Sequence, residues 1–198
     1  MMHHVLVPSD FFRIESRGTA TILRLTSPDG TNRLTRACIR ALTAGIEELR
    51  QQSTPLIITG NREFFSVGAD LNEIAALTAA EAYEFSSVGQ TLMNSIAAYP
   101  ATAVAAVEGH CMGGGLDLAL ACHRRIATPR AVFGHRGAAL GLITGWGGTQ
   151  RLPRLIGKGR ALQLFITAEK ISAAQALEIG LIDAIADDAV AEAIKLSN

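Results

Sequence analysis

Apolar and polar positions follow two rhythms along this chain, and they predict strands and helices in turn. Residues 20–25 (ATILRL) form a short β-rich run, closed by the strong turn signal Ser27-Pro28-Asp29-Gly30. From Thr35 to Gln51, apolar Ile39, Leu42, Ile46 and Leu49 recur at steps of three, four and three, which mark one face of a helix. Residues 55–60 (PLIITG) are apolar without alternation, as parallel strands covered on both faces are. A long helix is predicted over 79–98. Thr78 and Glu81 have capping-box spacing at its start, and Pro100 ends it.

Residues 103–107 (AVAAV) read as a second buried strand, after which Gly113-Gly114-Gly115 opens an apolar helix over 116–122. Short extended segments follow at 126–127 and 131–133. Helical patterns cover 150–156, 160–166 and 172–179, with Gly180 at the last C-terminus, and 181–185 reads as a final strand. Strands alternating with helices predict an α/β fold with a mainly parallel sheet. A composition shift near Lys170 is where a smaller appendage would begin.

Composition narrows the function classes. The chain has 198 residues, 48% apolar and only 18% charged, which suits one well-buried core and excludes a disordered chain. Eighteen Lys and Arg balance eighteen Asp and Glu, so there is no net field to attract nucleic acid. No run of eighteen apolar residues supports a membrane span. Cys38, Cys111 and Cys122 are scattered and odd in number, which fits a reduced, cytoplasmic chain better than a disulfide framework. Residues 1–10 lack a signal-peptide core and are expected to be a flexible N-terminus, with His3 and His4 part of it rather than a metal site.

Two glycine-bearing loops follow buried strands: Phe64 to Leu71 and Glu108 to Asp117. Ligands of parallel sheets bind beyond the carboxyl ends of strands. Three successive glycines cost backbone entropy. They serve either a tight strand-to-helix turn or the close approach of a ligand oxygen to bare N–H groups at a helix start. Dinucleotide and nucleoside-triphosphate fingerprints are absent, as are a G-x-S-x-G elbow and H-x-x-x-H zinc spacing.

Taken in order, Asn32-Arg-Leu-Thr35, Leu56-Ile-Ile-Thr-Gly60, Phe65-Ser-Val-Gly-Ala-Asp70, Ala105-Ala-Val-Glu-Gly109, Gly113 to Leu118, Gly145-Trp-Gly-Gly-Thr-Gln-Arg151 and Ile171-Ser-Ala-Ala-Gln-Ala176 resemble the enoyl-CoA hydratase/isomerase (crotonase) family. The resemblance runs from about Phe12 to Ala186 and makes residues 11–198 a crotonase-like domain. It implies a spiral of ββα repeats assembled as homotrimers or hexamers. It also implies an acyl-CoA substrate of the kind met in fatty acid metabolism, with no cofactor beyond the coenzyme A carried by that substrate, and no metal. By motif position, the N–H groups of Ala69 and Gly114 would hold an enolate-like oxyanion, as fixed donors stabilise developing charge. Val67, Gly68, Asp70, Gly113, Gly137 and Trp146 would line the substrate site. Family members continue with further helices, so a shortened or missing C-terminal helical region is expected here.

Hydratases of this family use two carboxyl groups. Asp117, two positions after the last glycine of the triplet, matches one. In the first turn of a helix the dipole favours its ionised form, so it is read as a base or water-holder, or as helix charge complementarity alone. The other falls, in the segment Phe133-Gly-His-Arg-Gly137, on Gly137. A double-bond shift needs one base, whereas hydration needs two groups. His135, on the same face as Gly137 if that segment is extended, stands in for the missing group or is structural or CoA-contacting. His110 and His123 are weaker candidates. Arg136 either meets a CoA phosphate or is solvated, and Trp146 walls the acyl pocket or fills the core. Hydratase/isomerase chemistry leads. Decarboxylation or thioester hydrolysis on the same oxyanion site, and a non-catalytic acyl-CoA binder, stand as alternatives.

Overall fold

The computed structural model describes residues 9–197. The expected flexible N-terminus, residues 1–10, lies outside them except for Ser9 and Asp10, and His3 and His4 are outside as well.

The chain spirals by placing successive strands in two main sheets and one short two-stranded pair. β1 (Phe12–Arg17) and β2 (Ala20–Leu25) form an antiparallel hairpin. β3 (Arg33–Leu34) leads into α1 (Arg36–Leu49), capped by the Thr35 side chain. β4 (Leu56–Thr59), β5 (Phe64–Ser66) and β6 (Gly68–Ala69) precede α2 (Leu71–Ala75) and α3 (Ala79–Ala97). The next turn is β7 (Ala103–Val107), β8 (His110–Met112) and α4 (Gly114–Ala121). β9 (Arg124–Ala127) and β10 (Val132–Gly134) lead through a 3-10 turn (Gly137–Leu140) to α5 (Gly148–Ile156) and α6 (Lys158–Thr167). β11 (Ile171–Ser172), α7 (Ala173–Glu178), β12 (Ala184–Ile185) and α8 (Ala189–Ser197) complete the chain.

One sheet runs β1-β2-β4-β7-β9-β12, parallel apart from the first hairpin; a second runs β11-β10-β8-β5; β3 and β6 form a separate parallel pair. The pairs β4/β5, β7/β8 and β9/β10 each lay their first strand in the large sheet and their second in the four-stranded one. This is the crotonase-like spiral that the motifs implied.

The local reasons match the sequence patterns. α1 buries Ile39, Leu42, Ile46 and Leu49, the stripe stepped by three and four. Thr78 and Glu81 form the capping box of α3. β4 and β7 are buried along their full length, as their unbroken apolar runs predict. The segment after Lys170 does not form an appendage. β11 pairs with β10, β12 pairs with β9, and α8 packs on β7 and β9. Arg125 ties this segment in: its buried guanidinium donates to Leu181 O (2.8 Å) and Cys122 O (2.9 Å). No helix among the described residues is long and apolar enough to cross a membrane.

Candidate active site

The carboxyl ends of β5, β8 and β10 open into a cavity of about 1200 Å³. Its floor comes from the two glycine-bearing loops. Val67, Ala69, Asp70, Gly113, Gly114, Asp117, His135, Gly137 and Trp146 all line it. Gly68 does not: it is buried behind the lining with φ +91°, and its bare Cα explains the site's closeness. A Cβ there would lie 2.7 Å from Met112 O and 2.8 Å from Gly114 N. The absent side chain lets the Ala69 strand pack directly on the start of α4.

Each glycine of the triplet has its own cause. Gly113 has φ +52° and donates to Gly134 O (2.9 Å). A Cβ on Gly114 would meet the six-membered ring of Trp146, and one on Gly115 would meet Ser66 O at 2.6 Å. Gly114 is the first residue of α4, where backbone N–H groups lack intrahelical acceptors. Trp146 answers both of its expected roles. It is buried, packs edge-on against Phe85 at 5.3 Å between ring centroids, and still forms part of the cavity wall.

Asp117 sits one turn into α4 with 2% of its surface exposed. Thr144 donates a short hydrogen bond to its Oδ2. His135 Nε2 lies 3.4 Å from its Oδ1. Neither Oδ1 nor Nε2 has a hydrogen-bond partner among the described residues. Burial pushes the Asp117 carboxyl up from 3.8 to about 7, while the Thr144 hydroxyl, the Arg151 charge and the backbone N–H of Gly148 hold it down. The expected ionised carboxylate is therefore corrected to a group that titrates near neutrality. Desolvation outweighs the helix dipole because the side chain is cut off from water. Burial pushes the His135 imidazole down to about 4. The ring also packs 5.2 Å from Phe165.

The face shared by His135 and Gly137 has a different origin from the expected one. The strand ends at Gly134, Arg136 has φ −90° and ψ 10°, and Gly137 begins the 3-10 turn. His135 turns inward beneath that turn, and Gly137 reaches the cavity wall from it. The turn closes through Leu142 N–H donating to Gly137 O (2.9 Å).

Asp70 caps α2, accepting from the N–H groups of Asn72 (2.8 Å) and Glu73 (3.2 Å). Arg33, Arg136 and Lys170 bring positive charge to the cavity wall. His110 reaches it too, stacked near Phe64. His123 does not: its Nδ1 accepts from Ala103 N–H (2.9 Å), a structural task. Ser66 is likewise structural, donating to Asn32 O (2.7 Å). The sequence reading passed over Thr144, Arg151 and Phe165. Arg151 lay inside a recognised motif, but nothing local marks Thr144 as a neighbour of an acid 27 positions away, or Phe165 as a neighbour of His135.

Comparison with known proteins bears on the family and the fold. The enoyl-CoA hydratase/isomerase family model matches residues 15–197. DspI of Pseudomonas aeruginosa superposes with a TM-score of 0.92 at 32% identity, covering 99% of this chain and 82% of that one. The enoyl-CoA hydratase of Thermoplasma volcanium gives 0.90 at 33% identity, covering 95% and 76%. That of Bacillus anthracis gives 0.89 at 32%, covering 94% and 75%. The chain belongs to the enoyl-CoA hydratase/isomerase family.

Proposed function

We propose that this protein shifts a double bond in an enoyl-CoA thioester, using Asp117 as a single acid/base. One observation carries the reading: a buried carboxyl, poised near pH 7, faces a cavity lined also by Gly137, where the sequence resemblance would place a second carboxyl. A base working near its own pKa both takes and returns a proton efficiently. Asp117 takes the proton from C2 of a 3-enoyl thioester. Negative charge moves onto the thioester oxygen, which the N–H groups of Ala69 and Gly114 hold. The same proton returns at C4, and the double bond ends between C2 and C3. Atoms and charge balance without a cofactor.

The cavity supports a thioester ligand. Ile74, Leu77, Phe85 and Trp146 offer an apolar wall for an acyl chain, and Arg33, Arg136 and Lys170 offer charge for phosphates. Leu140, Ile143, Leu162 and Ile166 are exposed around the cavity, which favours assembly into homotrimers or hexamers.

A second reading rests on His135. Its closeness to Asp117 fits hydration, with the pair sharing the work of two carboxyls. The test is incubation with crotonyl-CoA and a 3-enoyl-CoA in deuterated water, followed by NMR and mass spectrometry. A shifted double bond without added water supports the one-base reading. A 3-hydroxyacyl product supports the His135 reading. Binding with neither product sinks both, and turns attention to malonyl-type and saturated acyl-CoAs as decarboxylation and hydrolysis substrates, or to a binding role.

A further inference from the structure

Thr144 belongs to none of the elements that build the glycine loops, yet it contacts the group on which the chemistry turns. It lies in the connection between the 3-10 turn and α5, half-buried, with its hydroxyl on Oδ2 of Asp117. Thr144 and Asp117 both line the cavity. Besides Thr144, the backbone N–H of Gly148 at the start of α5 and three side chains bear on that carboxyl. His135 approaches from the end of β10. Arg151 approaches from α5, where Asn94 of α3 holds its guanidinium at 2.9 Å. Cys111 of β8 lies within electrostatic reach below. Among the described residues, Thr144 alone is a side-chain hydrogen-bond donor to one of its oxygens.

We propose that Thr144 is a positioning residue that makes the two oxygens of Asp117 unequal, committing Oδ2 to its hydroxyl and leaving Oδ1 as the oxygen that exchanges protons. The chemistry is that of a buried acid with one fixed donor. A hydroxyl that donates to Oδ2 occupies the face where a carboxyl proton would sit, so the exchangeable proton resides on Oδ1. Oδ1 has no side-chain hydrogen-bond donor among the described residues; it lies beside His135 Nε2 and against the Gly148 backbone. The donor also favours the charged form, so Thr144 offsets part of the desolvation that raises the group. The catalytic meaning of this arrangement rests on the acid/base role proposed above for Asp117; the arrangement itself does not.

The test titrates Asp117 directly. Protein labelled with 13C at aspartate carboxyls is followed by NMR over pH 4–9, and the Asp117 signal is assigned by its loss in Asp117→Asn. Thr144→Val should raise the Asp117 midpoint by about one unit, roughly tenfold in proton affinity. Thr144→Ser should restore the wild-type midpoint. Thr144→Ala gives the same reading as Val if the Val variant does not fold. In turnover, the acid limb of the pH-rate profile should move by the same amount in Val and return in Ser. An unshifted midpoint in the Val or Ala variant overturns the proposal. So does an acyl group found covalently on Thr144 by mass spectrometry, which would make the hydroxyl a nucleophile. A shifted midpoint in a protein that turns over no enoyl-CoA would sink the isomerase reading and leave this one standing.

Discussion

His135 Nε2 lies 3.4 Å from Asp117 Oδ1, and both side chains are almost fully buried. Burial acts on them in opposite senses, raising the acid to about 7 and lowering the imidazole to about 4. Both shifts favour the neutral forms, so the two groups load the fold with opposite proton linkages.

That opposition predicts a hidden pH dependence. Between about pH 4 and 7 the native state keeps the Asp117 proton and the unfolded state loses it, so stability falls as pH rises. Between about pH 4 and 6.5 the unfolded state holds the His135 proton and the native state does not, so stability rises with pH. Each slope is about 1.4 kcal/mol per pH unit, and over the shared window they cancel. Relative to wild type, Asp117→Asn should gain stability with rising pH from 4 to 6.5, and His135→Gln should lose it. Urea melts at half-unit pH steps measure both. Equal slopes in the two variants would show that the groups do not titrate as described.

Introducing a carboxylate at Gly137, where the resemblance would place a second carboxyl, should not create a hydratase. A Cβ at Gly137 would lie 2.7 Å from Leu142 O and 3.1 Å from its carbonyl carbon, inside a turn closed by a backbone hydrogen bond. Gly137→Glu should lower the melting temperature by several degrees and add no hydration of crotonyl-CoA, because the 3-10 turn must open to admit the side chain. Gain of hydration at unchanged stability would contradict this.

The indole of Trp146 lies between two glycines on different helices. A Cβ on Gly89 of α3 would meet its five-membered ring, and one on Gly114 of α4 its six-membered ring. Gly89→Ala should cost about 1–3 kcal/mol through overpacking. In a Trp146→Ala background that cost should fall below about 0.5 kcal/mol, giving a coupling of at least about 1 kcal/mol in a double-mutant cycle. Gly114→Val should also abolish turnover by shielding the N–H beneath it. Additive Gly89 and Trp146 effects would mean that the ring relaxes away from α3.

Arg125 should prove the clasp of the C-terminal segment. Arg125→Met leaves two buried carbonyls, Leu181 O and Cys122 O, without their charged donor. The expected loss is roughly 3 kcal/mol. Hydrogen exchange should show β12 opening first, since it is the edge strand of the large sheet and pairs there with β9. Uniform destabilisation across the chain would show that the segment does not open by itself.

The sequence by itself determined what depends on short spans of chain. Burial direction repeats with backbone period, so the α1 stripe, the α3 capping box and the β4 and β7 runs were legible. The order of the glycine motifs was equally legible, as was the place of Asp117 after the triplet. Two- and three-residue strands such as β3, β5, β6, β8 and β11 carry too few positions to show a period, and β1, α2 and α8 were also passed over.

Only the tertiary structure decided the state of the site. Position in the first turn of α4 argued for an ionised Asp117, but its protonation depends on how much water reaches it, and that is set by residues 18 to 34 positions away. His135, Thr144 and Arg151 meet it because β8 and β10 are neighbours in one sheet and α5 packs on α4. Such contacts leave no local rhythm in the chain, because desolvation and hydrogen bonding are sums over spatial neighbours rather than sequence neighbours.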